Sequence, residues 1–209
     1  MARKRYGKAI GKMVAAVVLA LVAFVGLQYG SMLNEMDQGA ADYSRGDPES
    51  SLKRYENVEA KLRSFGALRI IPSRDRQNLF LNQARLLYGM KRYQDAAERL
   101  EKEDEITGQA NDGRFYLLRG EIGFRKAVMD YQQSTKKDAN LLEENLLGAQ
   151  DSLQESLRLT PADWDAKYNF EYINYIRKML TAEGTGKVKL LMEEENKPKQ
   201  KELPPELAG

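Results

Sequence analysis

The chain has 209 residues, with 33 Lys and Arg against 31 Asp and Glu for a formal net charge of +2, and it contains neither His nor Cys. The balanced charge gives no basis for nucleic-acid binding. The absence of Cys excludes disulfides, thiol nucleophiles and Cys-ligated metals, and the absence of His removes the commonest general base and metal ligand. We therefore expect a protein that is not an enzyme and that needs no cofactor or metal.

The N-terminal region predicts a membrane anchor. Residues 1–12 form a basic segment without an acid, and the chain from Met13 to Tyr29 carries no charge. A helix of this length, with its flanks, spans a hydrocarbon core of about 30 Å. We predict a transmembrane anchor over residues 13–30. Residues 24–30 fit poorly to a cleavage site, which favours this anchor over a cleaved signal peptide.

The charge distribution also predicts the orientation of the anchor. Positive charge resists translocation, so the basic segment is expected to stay in the cytoplasm. The body of the chain then lies outside the inner membrane of a bacterial cell, in the periplasm if the cell is Gram-negative. The sequence thus predicts a single-pass protein with a periplasmic soluble domain.

Residues 31–46 are predicted to continue as a helical stalk that ends at Gly46. Asp47 and Pro48 then suit the N-cap and first position of a new helix. The apolar residues of this helix recur at steps of three and four, which is typical of an amphipathic helix: Leu52, Tyr55, Val58, Leu62 and Phe65.

The next part of the chain predicts a helical hairpin. Gly66 is expected to end the preceding helix, residues 70–72 to be extended, and Ser73 to cap the following helix. Two helices, over residues 74–88 and 93–103, then flank a short turn. Small and large residues in this hairpin match a tetratricopeptide repeat, in which a small side chain allows two helices to approach closely: Ala84, Tyr93, Ala96 and Leu100.

Residues 102–113 are predicted to form an acidic loop. Glu101, Glu103, Asp104 and Glu105 cluster there. Carboxylates bind hard cations, but the alternating ligands of a calcium loop are missing, which favours an exposed acidic loop over a cation site.

A second pair of helices is predicted over residues 114–133 and 140–159, joined by a linker over residues 134–139. Gly120, Gly123 and Ala127 recur at steps of three and four in the first helix. Glycine inside a helix lowers its stability by about 1 kcal/mol relative to Ala, so we expect a compensating close helix crossing on this face.

The last predicted helix follows Pro161, which disfavours helix at the preceding residue. It is expected to begin between Thr160 and Asp163, and Trp164 in its first turn is expected to cover the end of the core. The tail, residues 184–209, is polar and Pro-rich, which favours a disordered tail over a docking segment built on Leu203-Pro204-Pro205. A short helix over residues 187–195 is a further prediction.

One run of sequence carries a family resemblance. It reads Leu-Arg-Leu-Thr-Pro-Ala-Asp-Trp-Asp-Ala-Lys-Tyr-Asn-Phe-Glu over residues 157–171. Its Pro161 ends a second match to the tetratricopeptide repeat, formed by Ala149, Leu153, Ser156 and Leu157. It resembles a run in the MxaK-like proteins, membrane-anchored tetratricopeptide-like proteins encoded beside von Willebrand factor A-domain proteins and MoxR-type AAA+ ATPases. The resemblance covers about residues 114–180, and Phe170 stands where the family usually has Leu.

The resemblance implies a non-catalytic accessory role in the assembly or metal loading of a periplasmic system, which in methanol oxidation is calcium loading of the dehydrogenase. Together with the helix pattern, it predicts an all-α fold: an N-terminal transmembrane helix, a TPR-like solenoid of antiparallel helical hairpins over residues 47–183, and the disordered tail.

The first helix of each tetratricopeptide repeat lines the concave surface, so the register predicts a protein-binding site on three helices. The alternative is that several of these side chains fill the core of a short solenoid. The predicted binding residues are Asn78, Leu81, Arg85, Tyr88, Arg114, Leu117, Glu121, Phe124, Asp165, Tyr168, Tyr172 and Tyr175.

Three functions follow as hypotheses. The first is an adaptor for a von Willebrand-domain and MoxR-ATPase system. The second is a structural subunit of an envelope or secretion complex. The third, a carboxylate-based envelope enzyme, needs two acids that converge in a pocket, whereas the acidic clusters in this sequence are typical of a surface.

Overall fold

The structure is a computed structural model that describes residues 2–107 and 111–183, with side chains described for residues 11–102 and 111–180. In these ranges the chain is helical and contains no strand, so the predicted all-α class is confirmed. The helices are α1 (Ala2–Ser44), α2 (Pro48–Ser64), the 3₁₀ helix η1 (Ala67–Arg69), α3 (Ser73–Gly89), α4 (Tyr93–Thr107), α5 (Gly113–Gln133), α6 (Ala139–Leu159) and α7 (Trp164–Glu183).

The chain forms two compact units, one ending at Lys61 and the other beginning at Leu62. The sequence had placed the boundary between the stalk and the helical domain at residues 46 and 47. The first 14 residues of α2, nearly four turns, therefore belong with α1. The predicted tail, residues 184–209, lies outside the described residues, as does its predicted short helix.

In the first unit, α1 is a single helix that includes the predicted anchor and the predicted stalk. By length and composition it could cross a membrane, and a signal sequence would meet the same criteria. The left-handed backbone of Gly46 (φ 85°) follows α1, and Asp47 Oδ1 accepts a hydrogen bond from the backbone N–H of Ser50 at 3.0 Å. Both the break and the N-cap of α2 are as predicted.

The stretch predicted as a stalk also packs against α2. A Cβ on Gly39 would lie 3.0 Å from Cε2 of Tyr55, a ring that is 1% exposed. Arg54 of α2 donates to Gln38 at 2.9 Å and to Asp42 at 2.5 Å. The C-terminal part of α1 is therefore one half of a packed helix pair.

The second unit contains η1 and α3 to α7. Along the chain each of these α-helices packs against the next, and contacts also join α3 to α5 and α5 to α7. The core between α5, α6 and α7 is aliphatic and aromatic, since Phe124, Leu146, Leu153, Ile173 and Ile176 are all buried. Besides α4 and α6, α5 thus has α3 and α7 as neighbours.

The predicted helix starts are mostly correct because aspartates cap them. Asp112 Oδ1 accepts from the backbone N–H of Arg114, and Asp138 and Asp163 each accept from two backbone N–H groups of the following turn. Such bonds satisfy donors that a helix leaves unpaired at its N-terminus. For α7 the cap is Asp163, within the predicted range.

Five local predictions are wrong. Phe65 lies beyond the end of α2 and is 73% exposed, so it does not belong to the buried stripe of that helix. Ile70 is not extended but ends the η1 turn (φ −95°, ψ −31°), whose last N–H bonds to Ala67. Ser73 does not cap α3, because Pro72 occupies the N-cap and no side chain bonds there. The predicted loop is helical as far as Thr107, and Trp164 is 78% exposed, so it does not cover the core.

Candidate functional site

The twelve predicted binding residues lie on α3, α5 and α7, four to each helix. Contacts between the helices bring several of them together, and we call the surface they share the α3–α5–α7 face. Its members are Asn78, Leu81, Arg85 and Tyr88 on α3, Arg114, Leu117, Glu121 and Phe124 on α5, and Asp165, Tyr168, Tyr172 and Tyr175 on α7.

At one end of the face, Arg114 joins α5 to α3. Its Nη2 atom donates to Asn78 Oδ1 at 3.2 Å and to Asp112 Oδ2 at 2.7 Å. Burial raises the pKa of Asp112, whereas hydrogen bonds from the side chain and backbone of Arg114 lower it. The hydrogen bonds have the larger combined effect, so the pKa of Asp112 lies below its usual value. This end of the face therefore presents a fixed ion pair, with the charge of Arg85 nearby.

Glu121 lies at the centre of the face and joins α5 to α7. Its Oε1 atom accepts a hydrogen bond from Asn169 Nδ2 at 2.9 Å. Burial is the main cause that raises the pKa of Glu121 to about 7. The hydrogen bond from Asn169 lowers this pKa, the negative charge of Asp165 raises it, and the positive charges of Arg85 and Arg125 lower it. Desolvation disfavours the carboxylate, so Glu121 carries only part of a charge near neutral pH.

Aromatic rings surround Glu121. Tyr88 Oη accepts a hydrogen bond from Arg125 Nε at 3.5 Å, and burial raises the pKa of Tyr88. The Phe124 and Tyr172 rings meet edge to face at a centroid distance of 5.7 Å. These side chains and Asn169 line a cavity of about 40 Å³, which is too small for a ligand beyond one or two water molecules.

The predicted residues differ in what they offer to a partner. Leu81 and Phe124 are 1% and 6% exposed, so they support the face from the core. Asp165, Tyr168 and Tyr175 are exposed, and the remaining seven are partly buried. The alternative that some of these side chains fill the core is therefore correct for Leu81 and Phe124.

Two residues of the face were missed by the sequence register. Arg125 follows Phe124 and donates to Tyr88, and Asn169 lies one turn after Asp165 and donates to Glu121. The signal for Asn169 was its spacing, since residues four apart share a helix face. Arg125 gave no such signal, because its long side chain reaches the face from the neighbouring helical position.

A larger cavity, of about 210 Å³, lies between α4, α5 and α6, away from the predicted residues. Small residues, Gly123 and Gly148, form part of its wall, and the ion pair of Lys126 and Asp130, 3.0 Å apart, lies at its rim. Among the described residues, no group of three or more acidic side chains could hold a metal ion. The predicted acidic cluster at residues 103–105 falls outside the described side chains.

Comparison with known proteins adds no family assignment. No protein-family model matches the chain, and no curated protein matches it either.

Proposed function

We propose that this chain is a membrane-anchored, TPR-like adaptor that binds a segment of a partner protein on its α3–α5–α7 face. The observation that carries the proposal is the joining of three helices by side chains on one surface. Asn78 bonds to Arg114 between α3 and α5, and Glu121 bonds to Asn169 between α5 and α7. Such bonds hold the helices in a fixed spacing, so the face is preorganised for a partner.

The pattern of helix packing supports the TPR-like part of the proposal. Alternate helices of a tetratricopeptide array lie side by side, and α5 contacts both α3 and α7 here, which supports such an arrangement. Gly120 supports it too, because a Cβ at this position would lie 2.6 Å from Leu153 Cγ of α6. This is the close crossing within a helix pair that the repeat requires.

The chemistry of the face suits a polypeptide partner. Exposed tyrosines on α7 offer large, rigid contact surfaces at low entropic cost, and Arg85 and Asp165 offer charges of both signs. The apolar N-terminal part of α1 would hold this domain at a membrane. We propose the orientation of the sequence prediction, with the basic N-terminus in the cytoplasm and the domain in the periplasm.

The partner proposed from the MxaK-like resemblance is a von Willebrand-domain protein or a MoxR-type ATPase system, with a non-catalytic role in assembly or metal loading. A structural subunit of an envelope or secretion complex is the alternative. Affinity capture of the full-length, detergent-solubilised protein after mild crosslinking, followed by mass spectrometry, separates the two. Recovery of pilus, secretion or cell-wall components in place of the first group would contradict the adaptor hypothesis.

A charge exchange on the face tests whether it binds the partner. We expect Arg85→Glu with Asp165→Lys, which leaves the net charge unchanged, to reduce the captured partner about tenfold or more, because like charges across an interface repel by several kcal/mol. The matched control is Lys102→Glu with Asp151→Lys, two exposed residues on α4 and α6. Equal capture by both double variants, with equal helical circular dichroism, would show that the face does not bind the partner.

A further inference from the structure

Three exposed aromatic side chains lie along one edge of α7. Trp164, Tyr168 and Tyr175 are 78%, 66% and 49% exposed, so no described part of the chain covers them. Their spacings of four and seven residues place them on one stripe of the helix. We call these three residues the α7 aromatic edge. Exposed rings at regular spacing are a recognition surface, since soluble proteins bury most of their large aromatic area.

The spacing of this edge suits an extended, proline-rich segment. Seven residues of α-helix separate Tyr168 from Tyr175, which is a rise of about 10 Å. A polyproline II segment advances about 9 Å in three residues, or one turn. Successive turns of such a segment can therefore meet the two tyrosines. Aromatic-lined surfaces bind proline-rich segments in this way because the extended conformation is already formed before binding.

The chain itself contains such a segment. Leu203, Pro204, Pro205, Glu206 and Leu207 hold the only adjacent pair of prolines in the sequence. Proline fixes φ near −65° and restricts the residue before it to extended conformations, so this segment loses little entropy when it docks. Two leucines beside the pair supply apolar area for the rings.

Two lysines flank the edge and can pair with two acids of the segment, while the exposed Glu171 lies between Tyr168 and Tyr175 on the same stripe. Glu202 and Glu206 flank the proline pair. On α7, Lys167 follows Trp164 by three residues, with its Nζ 5.0 Å from the centroid of the Trp164 ring, and Lys178 follows Tyr175 by the same step. The step of three residues places each lysine on the same helix face as a ring of the edge, where an acid of the docked segment would meet it.

The segment can also reach the edge. Leu203 follows Glu183, the last residue of α7, by twenty residues. With the predicted short helix over residues 187–195 contributing about 12 Å and the other residues a coil of about 19 Å, the root-mean-square span is about 22 Å. Tyr168 lies about 22 Å back along the helix from Glu183. This match of span and distance gives an effective concentration in the millimolar range, which lets even a weak contact form within one chain.

We propose that residues 203–207 dock on the α7 aromatic edge of their own chain. The docked segment would run along all three rings of the edge, shielding Trp164, Tyr168 and Tyr175, and so occupy the α7 end of the α3–α5–α7 face. The inference does not rest on the proposed function, because the contact is within one chain and needs no external partner.

Trp164 is the only tryptophan, so the tryptophan fluorescence of the protein comes from this edge alone. The test measures acrylamide quenching of the full-length protein in detergent micelles. In the triple variant Leu203→Ala, Pro204→Ala, Pro205→Ala, the segment no longer docks on the α7 aromatic edge and Trp164 is more open to acrylamide. We therefore expect the quenching constant to rise about twofold. Pro198→Ala, a proline outside the segment, is the matched control and is expected to leave quenching unchanged.

Two further measurements identify the occupant. A synthetic peptide of residues 199–209 in millimolar excess is expected to restore protection of Trp164 in the triple variant. If the protection of Trp164 against acrylamide falls as the wild-type protein is diluted, a second copy of the chain covers the edge, and the proposal is overturned. Equal quenching in the wild type and the triple variant would overturn it as well, and neither protein needs a partner for these readouts.

Discussion

Replacing Gly120 by Ala is expected to lower the stability of the second unit by about 1–2 kcal/mol. A Cβ at this position would lie 2.6 Å from Leu153 Cγ and 3.0 Å from the backbone oxygen of Ala149. Forcing an extra carbon into a packed core lowers the free energy of unfolding by about 1–3 kcal/mol. The higher helix propensity of Ala relative to Gly offsets up to about 1 kcal/mol of this loss. Because backbone atoms form part of the contact, the neighbours cannot all move aside.

Gly148→Ala is the matched control, since a Cβ there meets no atom within 4 Å. In this variant only the helix-propensity gain remains, so we expect stabilisation of up to about 1 kcal/mol. Thermal unfolding followed by circular dichroism at 222 nm should therefore move in opposite directions for the two variants, by about 3–8 °C for Gly120→Ala. Two shifts of the same sign would show that α5 and α6 do not cross at Gly120.

Leu153→Ala provides a second check on the same contact. This side chain is fully buried, so its truncation alone should cost about 2–5 kcal/mol. The double variant Gly120→Ala, Leu153→Ala should be less destabilised than the sum of the two single variants, because the shorter side chain removes the clash with the new methyl group. An additive result would mean that the strain at Gly120 comes from the Ala149 backbone.

The helices of this protein could be predicted because their signals are local. Asp47, Asp112 and Asp163 stand where aspartate caps a helix, and Gly46 supplies the left-handed residue that ends one. One error came from the acidic composition at the end of α4. The acidic residues up to Thr107 continue α4 although their polarity is typical of a loop.

The site was harder to predict than the helices, because a helical register gives the direction of a side chain but not its depth. Leu81 and Tyr175 were assigned to one face by the same rule, yet the first is 1% and the second 49% exposed. The burial of a side chain depends on which helix packs beyond its own, and no described helix follows α7. Its outer edge therefore keeps aromatic residues that α5 buries at the matching position, Phe124.

Glu121→Gln is expected to stabilise the second unit at pH 8.5 by about 1–3 kcal/mol and to change it little at pH 4.5. The folded-state pKa of Glu121 is raised to about 7 from 4.5, chiefly by burial. A raised acid pKa means that the folded state binds its proton more tightly than the unfolded state. The wild type therefore loses stability as the pH rises from about 4.5 to about 7, and glutamine, which is always neutral, does not.

The bond to Asn169 separates this electrostatic effect from a packing effect. Glutamine keeps a carbonyl oxygen that can accept from Asn169 Nδ2, so the variant should retain the contact between α5 and α7. Urea unfolding of the wild type, Glu121→Gln and the exposed α7 control Glu171→Gln at the two pH values measures the difference. The control should stay within about 0.5 kcal/mol of the wild type at both values. A stability gain that is the same at pH 4.5 and pH 8.5 would mean that the Glu121 carboxyl group is not desolvated, and that the centre of the α3–α5–α7 face is open to water.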